Sequence, residues 1–195
     1  MLYLDLLATL DTWFAAGVSA EPGGLVPCRA GCTACCHGPF DISAADARMV
    51  SEAVAALPSE IARGIRERAG EQLASGAAID PRWQRPWRPT DLGDDGFDAL
   101  CDAQAHLPCP ALDPGSGACL IHASRPATCR ITGLSMLTAE GDVLENVCPI
   151  QDRFAGYGEM EATPFDLMRF ELEAAEHDLE ALAQGWHSTT VAGAA

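Results

Sequence analysis

A mainly α fold, a single helical domain with one or two small β-hairpins, is what this 195-residue sequence predicts, on three observations. Apolar residues recur at helical spacing in several stretches that carry recognisable caps. Proline- and glycine-rich segments separate those stretches. The strand-like runs are short, pair across tight turns and do not alternate with helices, so a layered α/β sheet is not expected.

Residues 2–17 place Leu and aromatic side chains at helical spacing, and Gly17 followed by Glu21-Pro22-Gly23-Gly24 ends that helix. A turn-rich loop with four cysteines follows and closes at Gly38-Pro39. Ser43 with Asp46 three residues later is a capping-box variant that opens a helix to about residue 57. Ser59 after Pro58 opens another to about residue 74, and the two are expected to form a hairpin.

Residues 80–96 hold Pro81, Pro86 and Pro89 among Trp83 and Trp87, which suits a loop in which the tryptophans cover a core edge. A short amphipathic helix over 97–105 comes next. Pro108-Cys109-Pro110-Ala111-Leu112 and Ala118-Cys119-Leu120-Ile121-His122 flank the turn Asp113-Pro114-Gly115-Ser116-Gly117 and read as a hairpin. Arg125-Pro126 opens a single helical turn holding Cys129. Segments 131–137 and 143–147 read as a second hairpin that delivers Cys148. From Thr163, with Pro164 at the first helical position, a long helix is expected to run to about residue 184, where Gly185 stops it. One domain over 1–188 and a disordered tail over 189–195 complete the expectation.

Charge narrows the function. Twelve basic against 28 acidic residues give a formal charge of -16, so the basic clusters that nucleic acid or an anionic membrane surface would need are missing. The apolar start carries Asp5 and Asp11 and no basic region before them, so it reads as a helix of the folded domain and not as an export signal. No run approaches the roughly 20 apolar residues of a membrane span. A cytoplasmic protein is expected.

Nine cysteines then need an explanation. In a reducing compartment thiols at tight spacing are metal ligands or catalytic groups more often than disulfides. Cys28-x3-Cys32-x2-Cys35-Cys36 puts four thiols within nine residues, with Gly31 and Ala34 allowing the backbone to wrap closely. Vicinal Cys35 and Cys36 point in different directions, so they are expected to serve two metals or to include a bridging ligand. Cys109, Cys119, Cys129 and Cys148 add four more. Thiolates are soft ligands that select zinc, iron–sulfur clusters or copper(I) over magnesium or calcium, and spacing does not reveal how the eight pair into sites. Cys101 lies at helical spacing with Phe97 and Leu100 and reads as a small core hydrophobe.

The composite of Cys28-x3-Cys32-x2-Cys35-Cys36, Cys109-Pro110, Gly117-x-Cys119-x-Ile121, Arg125-Pro126-x-x-Cys129-Arg130 and Cys148 resembles the zinc- or iron-chelating, YkgJ-like cysteine-cluster family, itself distantly similar to flagellin lysine N-methylases. The resemblance spans residues 28–148 and implies a metal site built from Cys28, Cys32, Cys35, Cys36, Cys109, Cys119, Cys129 and Cys148. Two features depart from the pattern: His122 stands where a tyrosine is expected, and Cys101 has no counterpart. The first three cysteines also share the spacing of radical S-adenosylmethionine enzymes, but the strand–helix repeats of that fold are absent.

Other side chains are weighed beside these. His37 and His122 could add nitrogen ligands, although eight thiols suffice without them. Arg125 and Arg130 are expected near Cys129, either to offset thiolate charge at the cofactor or to pair with a carboxylate. Glu173, Glu176, His177 and Glu180 read as a solvated helix face. The expected cofactor is an iron–sulfur cluster of the [4Fe–4S] type, with zinc as the alternative. The function follows one of two lines: a redox or group-transfer enzyme or enzyme subunit with a protein partner or protein substrate, or a non-catalytic zinc-binding, metal-delivery or partner-binding module. No catalytic residue is assigned.

Overall fold

The structure of the protein is a computed structural model that describes residues 2–21, 25–26, 28, 31–146 and 148–195. The predicted helix stop at Pro22-Gly23-Gly24 and the strand position Val147 lie outside the described residues. The fold is mainly α with a few two-residue strands, as the sequence predicts. It divides into two compact units, 1–35 with 127–177 and 36–126 with 178–195.

In the first unit, α1 (Tyr3–Ala20) buries Leu6, Leu7, Leu10, Trp13 and Gly17, the 3.6-residue stripe expected of an amphipathic helix. Gly17 is there for space: a Cβ on it would stand 2.3 Å from the Leu134 Cδ2 and 2.6 Å from the Thr163 Oγ1. Helix α5 (Ala127–Ile131) is the predicted single turn after Pro126, and it packs on α1. Strands β2 (Met136–Leu137) and β3 (Val143–Leu144) form the second predicted hairpin, pairing Met136 with Leu144 and Leu137 with Val143.

The predicted helix start at Thr163 is a correction. Thr163 and Pro164 form β4 (Thr163–Pro164), parallel to β2, because the Thr163 and Phe165 N–H groups donate to the Ser135 and Leu137 carbonyls at 2.9 Å. Proline has no donor to lose at the position between them. Trp13 donates its indole N–H to the Thr163 carbonyl at 3.2 Å and packs with Leu134 and Met136. Helix α6 (Leu167–Ala183) begins after Asp166, whose carboxylate accepts from the Arg169 N–H in the manner of a cap. The boundary between the units passes within α6, after His177.

In the second unit, α2 (Ala44–Ala56) opens as predicted, with Ser43 Oγ accepting from the Asp46 N–H at 3.2 Å. Helix α3 (Ser59–Ile79) runs past its expected end, since Gly76 continues the helix and leaves room for Trp83, whose Cδ1 would lie 2.7 Å from a Cβ there. Helix α4 (Asp94–Gln104) adds Phe97 and Leu100 to Trp83 and Leu92. The main core gathers Ile42, Val50, Val54, Ile65, Ile121 and Val191.

The predicted tail is the second correction. Strand β5 (Thr189–Thr190) pairs antiparallel with β1 (Asp41–Ile42), and α7 (Val191–Ala194) packs on α2 and α3. Thr190 Oγ1 caps α7 by accepting from the Gly193 N–H, and Thr189 donates its hydroxyl to the Trp87 carbonyl at 2.8 Å. The small polar residues that suggest disorder are thus spent on backbone groups, while Val191, Ala192 and Ala194 fill core space.

Candidate metal centre

None of the nine cysteines is in a disulfide. The chain boundary between the units falls between the vicinal pair, so Cys35 belongs to the first unit and Cys36 to the second. The first unit therefore holds Cys28, Cys32, Cys35, Cys129 and Cys148, and the second holds Cys36, Cys101, Cys109 and Cys119. These sets cut across the early and late groups of four along the sequence.

In the first unit three thiols act on Cys28 through their charge. Partial burial of its sulfur pushes the thiol up to about 11, and the charges of Cys148, Cys35 and Cys32 add to the rise in that order. Cys28 and Cys35 are exposed residues, whereas Cys148 is buried. Gly133 stands against the Cys28 sulfur: its φ is +104°, and a Cβ on it would meet the Sγ at 3.1 Å. Every other residue would crowd the sulfur there and strain the backbone. Cys148 is held by Tyr157, whose hydroxyl oxygen accepts from the Cys148 N–H at 3.1 Å. The Tyr157 phenol is itself raised, by burial first, with the Cys148 and Cys28 charges adding to it against that hydrogen bond. Cys129 is half-buried on α5.

In the second unit a two-rung antiparallel contact joins the early loop to the later one. His37 pairs with Pro108, the Gly38 N–H donates to the Leu107 carbonyl at 2.7 Å, and the Cys109 N–H donates to the Cys36 carbonyl at 2.9 Å. The predicted first hairpin is a tight loop with one bridge, Leu112 with Cys119, closed by Asp113 N–H to Ala118 O at 2.8 Å and Leu120 N–H to Ala111 O at 2.9 Å. It is too short for regular strands because Pro110 lacks a donor and Gly117 turns the chain at φ +70°.

Cys109 and Cys119 pack against the main core. Burial pushes Cys109 up to about 11 and also raises Cys119. Opposing this, the Ala111 and Leu112 N–H groups donate to the Cys109 sulfur, and the Ile121 N–H donates to that of Cys119. Each sulfur is thus met by the N–H two residues on, which favours the thiolate a metal requires. Arg68 lowers Cys109 and fixes its loop by donating from Nε and Nη2 to the Pro110 carbonyl at 3.0 and 2.8 Å.

The two candidate arginines part ways. Arg125 acts on Cys119, lowering its thiol, and its guanidinium meets the His122 ring. Arg130 is buried and pairs with Asp11 of α1, the carboxylate-pairing alternative. Glu173 and Glu180 are paired to Arg169 and Arg48, and His177 packs against the Tyr3 ring at 5.2 Å. Among the described residues no three His, Cys, Asp or Glu side chains stand close enough together to hold an ion as placed. The donor chemistry nevertheless fits a soft metal: three thiols whose charges act on Cys28, N–H groups aimed at sulfur, and a glycine that leaves the Cys28 sulfur room. Gly133 and Arg68 escape sequence reading, since each is far along the chain from the thiol it serves, and Tyr157 escapes it because no motif marks its hydroxyl as the partner of the Cys148 N–H.

Cys101 packs with Leu73 and Trp87 against the Trp83–Phe97 cluster. Burial pushes its thiol up to about 11, with Asp98, Asp41 and Asp102 adding to the effect. The folded value lies above the ordinary 9.0, so the stability it contributes is complete below pH 9 and is lost as pH rises through 11. At pH 8 about one molecule in a thousand carries the thiolate. Cys101→Ala is therefore expected to leave metal content unchanged by elemental analysis, and to shift stability by about 1 kcal/mol or less. Metal loss in this variant would make the ninth cysteine a ligand.

Among the described residues no helix is long and apolar enough to cross a membrane. Residues 27–149, more than half of the chain, match the family profile CxxCxxCC, described as "Putative zinc- or iron-chelating domain". No curated protein and no solved structure matches the chain.

Proposed function

From the premise that this chain belongs to the CxxCxxCC family of zinc- or iron-chelating domains, we propose that it is an iron–sulfur protein whose first centre, of the [4Fe–4S] type, is held by Cys28, Cys32, Cys35 and Cys148. The second thiol set, Cys36, Cys109 and Cys119, makes a separate centre. The observation that carries this reading is the field at Cys28, whose affinity for a proton is raised by burial first and then by the charges of Cys148, Cys35 and Cys32. Thiolates that repel one another are relieved by a bound cation, so they bind metal and release protons together. Metal uptake should accordingly tighten as pH rises.

When bound, such a cluster supplies one-electron chemistry or an open iron for a substrate. The chain's own residues set the surroundings. Tyr157 orients the Cys148 backbone, Gly133 keeps the Cys28 sulfur uncrowded, and Arg125 offsets charge at Cys119. Exposure of Cys28 and Cys35 leaves the first centre within reach of a protein partner or protein substrate, which favours a redox or group-transfer role in the reducing cytoplasm. A second reading, zinc as a structural clip without catalysis, draws on Cys109 and Cys119, which are seated on the apolar core.

Anaerobic purification separates the two. A brown protein with iron and acid-labile sulfide in matching amounts is the expected result. A colourless protein with stoichiometric zinc would replace the first reading with the second.

A further inference from the structure

We infer that α6 is a docking surface for a basic amphipathic helix of a partner protein. Only Ala181 of this helix is buried. Its inward line also includes Phe170, which packs on Phe165, and His177, which packs on Tyr3. The large aliphatic side chains face the other way. Leu172 and Leu179 follow Phe170 and His177 by two positions, about 200° round the helix. Met168, Leu172, Leu179 and Leu182 are 56, 66, 67 and 51% exposed, and Ala175 between them is exposed as well. Apolar residues scattered singly over a surface need no explanation, but these five fall at successive steps of 4, 3, 4 and 3 along one helix. That is the seam of a coiled-coil strand, about 21 Å long.

Charge decides what covers the seam. Glu171 and Glu176 border it, are exposed, and make no ion pair among the described residues. The acids near them are engaged within the chain: Glu173 pairs with Arg169, Glu180 pairs with Arg48, and Asp178 accepts from the Ala45 N–H at 2.8 Å. A second copy laid parallel would set Glu171 against Glu176, and one laid antiparallel would set Glu176 against its own equivalent. Like charges in those flanking positions oppose pairing, and a net charge of -16 on each copy adds to the repulsion. A helix with leucine-type residues along its stripe and Lys or Arg beside them meets both features. Its aliphatic stems extend the apolar cover while the cationic heads reach Glu171 and Glu176. Docking here uses no cysteine, so it stands apart from the iron–sulfur reading.

Three helical peptides of about three heptads, titrated by fluorescence anisotropy into the full metal-loaded chain, test this. The first carries Leu along the seam with Lys on both flanks, the second the same seam with Glu on both flanks, and the third the composition of the first with its leucines scattered. The first is expected to bind saturably with a Kd below about 100 μM, and the other two at least tenfold more weakly. Leu172→Gln with Leu179→Gln should weaken the first peptide tenfold or more at unchanged helix content and metal content, because both side chains are exposed. Ile61→Gln with Ile79→Gln, which removes exposed apolar side chains from α3, should not. Docking on α6 is overturned by no saturable binding of the first peptide up to about 1 mM, by equal binding of the scattered peptide, or by equal weakening in the two double variants. A dimer in sedimentation that Leu172→Gln with Leu179→Gln dissociates would also overturn it, in favour of a second copy. Binding to phosphatidylcholine vesicles lost in the same variant would do so in favour of a membrane surface.

Discussion

Alanine in place of Cys28 is expected to abolish metal in the first centre while sparing the second, and to lower the melting temperature by about 10 °C. Metal bound at a thousand times its dissociation constant stabilises the folded state by about 4 kcal/mol, and in a chain of this length each 1 kcal/mol corresponds to about 2–4 °C. Cys28 is chosen because its thiol feels three others of the set, so its loss leaves three proposed ligands with no fourth to complete the shell. Elemental analysis and calorimetric unfolding of Cys28→Ala, Cys119→Ala and Cys101→Ala check this together. Partial loss in each of the first two and none in the third is the expected pattern. Complete loss of metal from Cys28→Ala alone would show that the two thiol sets do not act separately.

Gly133→Ala should weaken the same centre without removing any ligand. The glycine sits at φ +104°, and the added Cβ would come within 3.1 Å of the Cys28 sulfur. Backbone strain of this kind costs on the order of 1–3 kcal/mol, and the sulfur must also yield by a few tenths of an ångström. Metal affinity depends on ligand placement within narrow tolerance, so a drop of about tenfold or more in a competitive chelator titration is expected. A variant with reduced stability and wild-type affinity would remove Cys28 from the ligand set.

Much of the helical architecture is legible locally. The Ser43–Asp46 cap, the α1 stripe from Leu6 to Gly17 and the single turn after Pro126 each depend on residues within a few positions of one another. The misreadings arise where a distant segment competes. Thr163-Pro164 looks like a helix start, yet β2 offers its carbonyls first. The tail looks too small and polar to order, yet β1 and Trp87 accept its strand and hydroxyl groups. Arg130 is no misreading: of its two expected roles, beside the cofactor or paired with a carboxylate, the packing of α5 on α1 selects the pair with Asp11.

By itself the sequence determined the helical phase, the caps, the thiol-rich chemistry and the family, because each is written in residue type and short spacing. Only the tertiary structure decided that Cys148 joins the field around Cys28 and that Cys36 lies beside Cys109. Thiols are chemically identical and carry no label for a partner a hundred residues away. The choice is made by what surrounds them: the packing of α1, α5 and the β3–β2–β4 sheet in one unit, and the rungs from Cys36 to Gly38 in the other.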